Sequence, residues 1–257
     1  MTRKWIAFPH PDKAYAYDAG GLKKHWARLH RGDCEPWPKA PDVQAAWQAF
    51  HRGDFADAVD IGRKAGAAAS NAAIKSQLIY AHYLAPEKMR VALFEEAAQW
   101  AQERRDAAGK DPNAHYLYAF ALGRYGQGIS VAKALAQGFG GKIKDALATA
   151  LELEPKHADA HTAFGAYQAE VIEKVGALVA NMTYGAKRES AIAHFEKALA
   201  LDPESAIARI EYANGLLRLF GKTRLADAEN LYADASRCKP ADAMQRLDVE
   251  FARAEIS

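Results

Sequence analysis

The 257-residue chain is 50% hydrophobic and 26% charged, a composition typical of a globular protein and not of a disordered one. Its 34 basic and 32 acidic residues leave a formal net charge of +2, so neither nucleic acid nor an anionic membrane is expected as a partner. The sequence shows no apolar run of about 18 residues, no signal-peptide core and only two cysteines. We therefore expect a cytoplasmic protein.

The first 41 residues are predicted to form an N-terminal arm that packs on the rest of the domain. Five of the ten prolines lie here and rule out one long helix. Between Ala19 and Arg31, however, Leu22, Trp26 and Leu29 recur at helical spacing, and Arg31-Gly32-Asp33 then predicts a turn. Because the segment is rich in aromatic side chains, which are costly to leave in water, an ordered arm is favoured over a disordered tail.

From residue 42 to 240, apolar residues recur at helical spacing. One pattern returns three times, with steps of four, three and five residues that end at a proline. Positions i, i+4 and i+7 share one helix face, and proline ends the helix. The pattern predicts helix pairs that bury their apolar faces only by stacking on one another. Its copies are Ile143-Leu147-Ala150-Pro155, Ala191-Phe195-Ala198-Pro203 and Ala228-Tyr232-Ala235-Pro240.

These residues resemble the tetratricopeptide (TPR) repeat, whose period is about 34 residues. The resemblance implies an all-α, TPR-like solenoid of about four to five antiparallel helix pairs, with a capping helix at 241–257. Spacings of 43 and 48 between Pro112, Pro155 and Pro203 exceed the period, so extra-length segments are expected near 127–141 and 169–190. The stretch from Phe139 to Tyr167 is also similar to TPR lipoproteins associated with TRAP-type transporters and to an uncharacterised proteobacterial TPR family. That similarity implies a bacterial protein.

A metal or catalytic site is not expected. His157 and His161 are four residues apart, a spacing that can chelate a metal on a helix, but no third ligand is evident nearby. In the alternative that we favour, His157 lies in the turn after Pro155 and His161 packs against the paired helix. Gly138–Lys142 lacks the spacing of a phosphate-binding loop, and no serine or cysteine stands in a nucleophile motif. We therefore predict no enzyme, no metal and no cofactor.

The concave face lined by the first helix of each pair is the predicted functional surface. Asn214 matches the asparagine of the clamp with which some TPR domains hold a peptide carboxylate, but Ile210 replaces the first lysine, so chaperone tails are not expected. The predicted function is a non-enzymatic scaffold that binds a protein or peptide. The candidate contacts are Gln77, Tyr116, Arg124, Thr162, Glu170, Asn214 and Arg218.

The alternative function is the binding of a small apolar ligand in an internal cavity, as in the transporter-associated proteins. Such a cavity is predicted to be lined by Tyr116, Phe139, Val175 and Leu178. The apolar face of the 169–190 segment fits a pocket wall or a subunit interface, but packing against the arm or the segment after Ile129 is the favoured interpretation. The identity of the partner and the oligomeric state, including a homo-oligomer, stay open.

Overall fold

The computed structural model describes residues 4–256, and these form an all-α protein without a β-strand, which confirms the predicted fold class. Short 3-10 turns at Lys13–Tyr15, Gly66–Ala69 and Gly221–Arg224 supplement the α-helices. The helices are α1 (Ala19–Leu29), α2 (Pro41–Arg52), α3 (Phe55–Ala65), α4 (Ser70–Tyr83), α5 (Glu87–Ala107), α6 (Pro112–Ile129), α7 (Val131–Ala136), α8 (Phe139–Leu153), α9 (Ala158–Val175), α10 (Ala177–Tyr184), α11 (Arg188–Leu201), α12 (Ala206–Phe220), α13 (Leu225–Ser236) and α14 (Ala243–Glu255).

Within residues 4–256, ten of the helices form five stacked pairs: α2–α3, α4–α5, α6–α8, α9–α11 and α12–α13. Each second helix also packs against the first helix of the next pair, so the apolar faces are buried between neighbouring pairs. The helices α7 and α10 lie within the two segments predicted to be of extra length. The third and fourth pairs thus each carry an inserted helix between their first and second helices.

The packing around Phe195 shows why the recurring pattern folds in this way. Phe195 is fully buried on α11, and its ring lies against both α9 and α12. An added Cβ would lie 2.9 Å from the ring at Gly165 and 2.5 Å from it at Gly215. Ala191 and Ala198, one turn on either side of Phe195, are also fully buried and let the neighbouring helices approach.

The N-terminal arm, as far as it lies within the described residues, packs along the domain. Trp5 stacks on Tyr80 of α4 with ring centroids 3.9 Å apart. The hydroxyl of Tyr17 donates a hydrogen bond to the carbonyl oxygen of Ala241, 2.8 Å away, just before α14. The predicted arm and cap also include residues 1–3 and 257, which lie outside the described residues.

The two ends of the solenoid meet. The helix α14 packs on α12 and α13 of the last pair and also contacts α2 of the first pair. Asp242 is the N-cap of α14, where its Oδ1 accepts a hydrogen bond from the amide of Gln245 at 2.8 Å. One apolar cluster runs from Phe8 to Leu247 and joins the arm, the stacked pairs and the start of the cap. A second, smaller cluster around Ile210, Ala235 and Val249 lies between the last pair and α14. The concave face is therefore closed on one side by α14.

Candidate functional site

A cavity of about 130 Å³ lies between the first helices α4, α6, α9 and α12, with α8 and α14 completing its wall. Each first helix contributes residues three or four apart, which share one helix face. Most of the lining surface is apolar. The apolar and aromatic lining residues are Ile79, Tyr83, Tyr116, Ala119, Phe120, Ile143, Leu147, Ala163, Ala166, Tyr167, Ile207 and Met244.

Five of the seven candidate contacts line this one cavity. They come from three different first helices, so the stacking of the pairs brings them together from distant parts of the sequence. They are Tyr116 and Arg124 from α6, Thr162 and Glu170 from α9, and Arg218 from α12.

Gln77 and Asn214 lie elsewhere, and their assignment to the groove was wrong. Gln77 is fully buried, and its Nε2 donates hydrogen bonds to the Leu93 carbonyl at 3.0 Å and to Glu96 at 2.8 Å. It therefore faces α5, on the opposite side of α4 from Ile79. The amide oxygen of Asn214 accepts a hydrogen bond from the Tyr232 hydroxyl at 2.8 Å, which turns Asn214 toward α13.

The predicted lining of the alternative ligand cavity was also wrong beyond Tyr116. Phe139 instead packs on Tyr125, with ring centroids 5.9 Å apart. Leu178 is 73% exposed, because Gly176 takes a φ of +79° that ends α9 and redirects the chain into α10. Val175, at the end of α9, is not part of the cavity wall either.

A buried lysine forms the floor of the cavity. The Nζ of Lys75 donates a hydrogen bond to Asp33 at 2.6 Å and lies 3.6 Å from Asp159. Burial opposes ionisation of Asp33, but the charges of Lys75 and His30 outweigh it and hold the Asp33 pKa well below its usual range. The carboxylates in turn hold the Lys75 pKa above its ordinary value despite burial. The turn predicted at Arg31-Gly32-Asp33 thus inserts a carboxylate into the core.

Two buried histidines continue the network from Asp33 to the cap. His30 Nδ1 lies 2.9 Å from Asp33, and the Nε2 atoms of His30 and His51 are 3.3 Å apart. His51 Nδ1 lies 2.7 Å from Asp242 at the start of α14. Sequence reasoning missed this chain of residues, since only the spacing of three between His30 and Asp33 signals a local contact.

His157 and His161 have structural partners and do not face a common ion. The Nδ1 of His157 accepts a hydrogen bond from the amide of Ala160, and its Nε2 donates to the Asn113 side-chain oxygen, both at 3.0 Å. His161 Nδ1 lies 2.8 Å from His194 Nδ1 on the paired helix α11. Within residues 4–256, no group of three or more histidine, cysteine or acidic side chains is arranged to hold a metal ion.

Polar pairs ring the remainder of the cavity. Arg124 donates a hydrogen bond to Glu211 at 2.8 Å, and the Gln127 amide donates to Glu170 at 3.0 Å. The hydroxyl of Tyr83 donates to Asp248 Oδ1 at 2.5 Å. Burial raises the pKa of Asp248 to about 7, helped by the charges of Asp242 and Asp159. The cavity therefore combines an apolar wall with a buried carboxyl group that is half protonated near neutral pH.

The stacked helix pairs and the concave cavity define a TPR-like helical-repeat protein. Residues 68–244 match the family described as "Regulator of microtubule dynamics protein 1-3", and the chain belongs to this family. The recurring helical pattern of the sequence indicates the repeat class but not this particular family.

A solved structure supports the fold. The chain is similar to TTC0263, a thermophilic TPR protein from Thermus thermophilus, with 17% identity and a TM-score of 0.56. The similarity covers 83% of this chain and 97% of that one. No curated protein matches the sequence. Among residues 4–256, no helix has both the length and the apolarity to cross a membrane.

Proposed function

We propose that this chain is a non-enzymatic scaffold that binds a protein or peptide through the central cavity. The observation that carries the proposal is the cavity itself, which lies on the concave face, where helical-repeat proteins bind their partners. An apolar wall with a few polar groups suits an anchor side chain of a partner, which gains free energy by leaving water while the polar groups fix its orientation.

The family description supports a regulatory role. It names regulators of microtubule dynamics, and regulation of an assembly by a non-enzymatic protein proceeds through protein contacts. The proposal therefore extends to this chain a role in regulation by binding. For the compartment we propose the cytoplasm, since Cys34 and Cys238 are free thiols, as is usual in a reducing environment.

The experiment fills the cavity and measures peptide binding. Ala163 lines the cavity on α9, so Ala163→Phe places a ring in the space that an anchor would occupy. Ala226→Phe, on the exposed side of α13, adds the same ring without touching the cavity. Peptides selected from a random display library against the native chain should lose affinity at least about tenfold for Ala163→Phe and keep it for Ala226→Phe. Unchanged affinity for both variants would contradict the proposal.

A small apolar ligand is the second candidate, favoured by the apolar wall and by the closure of the cavity by α14. The volume of about 130 Å³ is close to that of engineered apolar cavities of about 150 Å³ that hold a benzene molecule. Native mass spectrometry tests this function. A ligand mass retained by the native chain and absent from Ala163→Phe would support it, and the absence of any retained ligand would count against it.

A further inference from the structure

The charged groups around the cavity are not balanced. Lys75 is paired with Asp33, and Arg124 is paired with Glu211, so both of these buried cations have a partner of their own. Arg218, the remaining cation of the lining, lies 3.8 Å from Glu173. His82 also faces the cavity, but burial lowers its pKa well below the usual value and keeps it neutral.

Three acidic side chains of the lining are then left without a cation of their own. Asp159 lies 3.6 Å from Lys75, which is already bonded to Asp33. Among the residues the structure describes, Glu170 is hydrogen-bonded only by the neutral amide of Gln127, and the nearby cation Arg124 is paired with Glu211. Asp248 is held only by a tyrosine hydroxyl within the same part of the chain. The cavity therefore carries an excess of negative groups.

Asp248 is the most deeply placed of the three. It is 3% exposed, and no lysine, arginine or histidine within residues 4–256 forms an ion pair with it. The charge of Lys75 acts on Asp248 across the cavity, but Lys75 is bonded to Asp33. A carboxylate without a counter-charge is strongly disfavoured in a protein interior, so Asp248 must either hold a proton or meet a cation. Because the buried carboxyl group of Asp248 has no cation beside it, it retains its proton more readily, and its pKa rises to about 7.

A second group in the cavity also lacks a partner. Tyr167 lines the cavity and is 8% exposed, yet its buried hydroxyl has no hydrogen-bond partner among residues 4–256. Burial is the main cause that raises the Tyr167 pKa above its ordinary value, so the hydroxyl stays protonated. A buried hydroxyl of this kind is a ready partner for a polar group of a ligand.

We propose that the cavity binds an alkylammonium group, with the ammonium on Asp248 and the aliphatic stem against Ile79, Ile207 and Met244. The inference rests on the proposed function, because it names the chemistry of the anchor that the scaffold accepts. A cavity of about 130 Å³ holds a group of about six heavy atoms, which leaves room for the five heavy atoms of a lysine side chain. The ammonium belongs to a lysine of a partner protein or to a free amine.

The first measurement compares two probes of similar size by titration calorimetry at pH 8. n-Pentylamine carries the ammonium group, and 1-pentanol carries a neutral hydroxyl on the same stem. The amine should bind at least about tenfold more tightly than the alcohol, because only the amine supplies the missing charge. Equal affinities, or tighter binding of the alcohol, would overturn the proposal.

The second measurement assigns the preference to Asp248. Asp248→Asn keeps an acceptor for the Tyr83 hydroxyl but removes the charge, and the amine should then bind no better than the alcohol. Asp227→Asn, on the exposed first turn of α13, makes the same charge change away from the cavity and should keep the preference. In the native chain the preference should also grow from pH 6 to pH 8, as Asp248 loses its proton, whereas Asp248→Asn should show no such growth. A preference that survives in Asp248→Asn would sink the assignment.

A pair of peptides tells a lysine of a partner protein from a free amine. It also separates the ammonium proposal from the proposed scaffold function. An acetylated and amidated pentapeptide with one central lysine among alanines is compared with its norleucine analogue. Tighter binding of the lysine peptide than of pentylamine assigns the site to a partner protein, and binding of pentylamine alone assigns it to a free amine. Display-selected peptides that bind through norleucine or leucine but not through lysine would leave the scaffold function standing and overturn the ammonium anchor.

Discussion

His51 and Asp242 are 191 positions apart in the sequence, yet the Nδ1 of His51 and an oxygen of Asp242 are 2.7 Å apart, and both residues are fully buried. His51 lies on α2 of the first pair, and Asp242 starts the capping helix. The contact therefore joins the two ends of the solenoid. It also explains why the concave face is closed by α14 instead of being left open as a groove.

The neighbouring contact of His51 with His30 fixes the protons in this network. Each Nδ1 faces a carboxylate, so each carries a hydrogen. The Nε2 atoms are 3.3 Å apart, and a hydrogen bond between them needs one further proton. Burial lowers the pKa of His30 to about 4, so the Nε2 of His30 carries no proton near neutral pH and can only accept a hydrogen bond.

Replacing Asp242 should destabilise the fold markedly. Asp242→Asn keeps the oxygen that caps α14 but places an amide donor against the Nδ1 hydrogen of His51 in the core, so we expect a loss of about 2 kcal/mol in the free energy of unfolding. Urea unfolding monitored by circular dichroism measures the change. Asp234→Asn is the matched control, since Asp234 pairs with Arg237 on the surface and should cost less than about 1 kcal/mol. Equal losses in the two variants would contradict a stabilising buried contact between His51 and Asp242.

The two glycines around Phe195 should not tolerate a methyl group. Gly215→Ala places a Cβ 2.5 Å from the Phe195 ring, and the resulting overpacking should destabilise the chain by about 1–3 kcal/mol. Gly123→Ala is the control. No atom lies within 4 Å of its added Cβ, so the better helix propensity of alanine should stabilise α6 by up to about 1 kcal/mol. Thermal unfolding of both variants tests the opposite signs, and stabilisation by Gly215→Ala would contradict the packing described.

The partly buried carboxyl group of Glu35 should make stability depend on pH. Burial and the charges of Asp33 and Asp111 raise the Glu35 pKa to about 8. Its folded-state pKa lies above the unfolded value, so its contribution to stability is present at low pH and is lost as the pH rises toward 8. Relative to the native chain, Glu35→Gln should therefore gain about 2 kcal/mol between pH 6 and pH 8.

Unfolding free energies at several pH values measure this gain. Gln at position 35 keeps an oxygen for the amides of Asn71 and Asn113, which both donate to Glu35 in the native chain. The exposed Glu229→Gln makes the same change of charge on α13 and should leave the slope unaltered. A native slope that persists in Glu35→Gln would assign the pH dependence to other buried carboxyl groups, Asp248 among them.

The sequence predicts the helical repeat well, but it does not predict that the capping helix α14 meets the first helix pair. Ala191, Phe195 and Ala198 lie within two turns of one helix, so their roles follow from local spacing alone. Asp33 contacts Lys75 and Asp242 contacts His51, each in a different helix. No local sequence pattern predicts a contact between residues so far apart in the chain. For the same reason, helical spacing alone predicted five of the residues that line the cavity. The burial of Gln77 on α4 and the orientation of α10 depend on contacts between distant elements, so the sequence did not predict them.

The apolar surface of α10 decides between the interpretations of the 169–190 segment. Leu178 is 73% exposed and Met182 79% exposed, while Tyr184 packs on α8 near Gly140. Leu178→Asp removes almost no contact within the chain, so we expect the unfolding free energy to change by less than about 0.5 kcal/mol. Leu147→Asp, at a fully buried position, should prevent folding. A loss above about 1 kcal/mol for Leu178→Asp would mean that a second copy covers the patch, and a fall in the mass measured by light scattering would then establish a homo-oligomer built on α10.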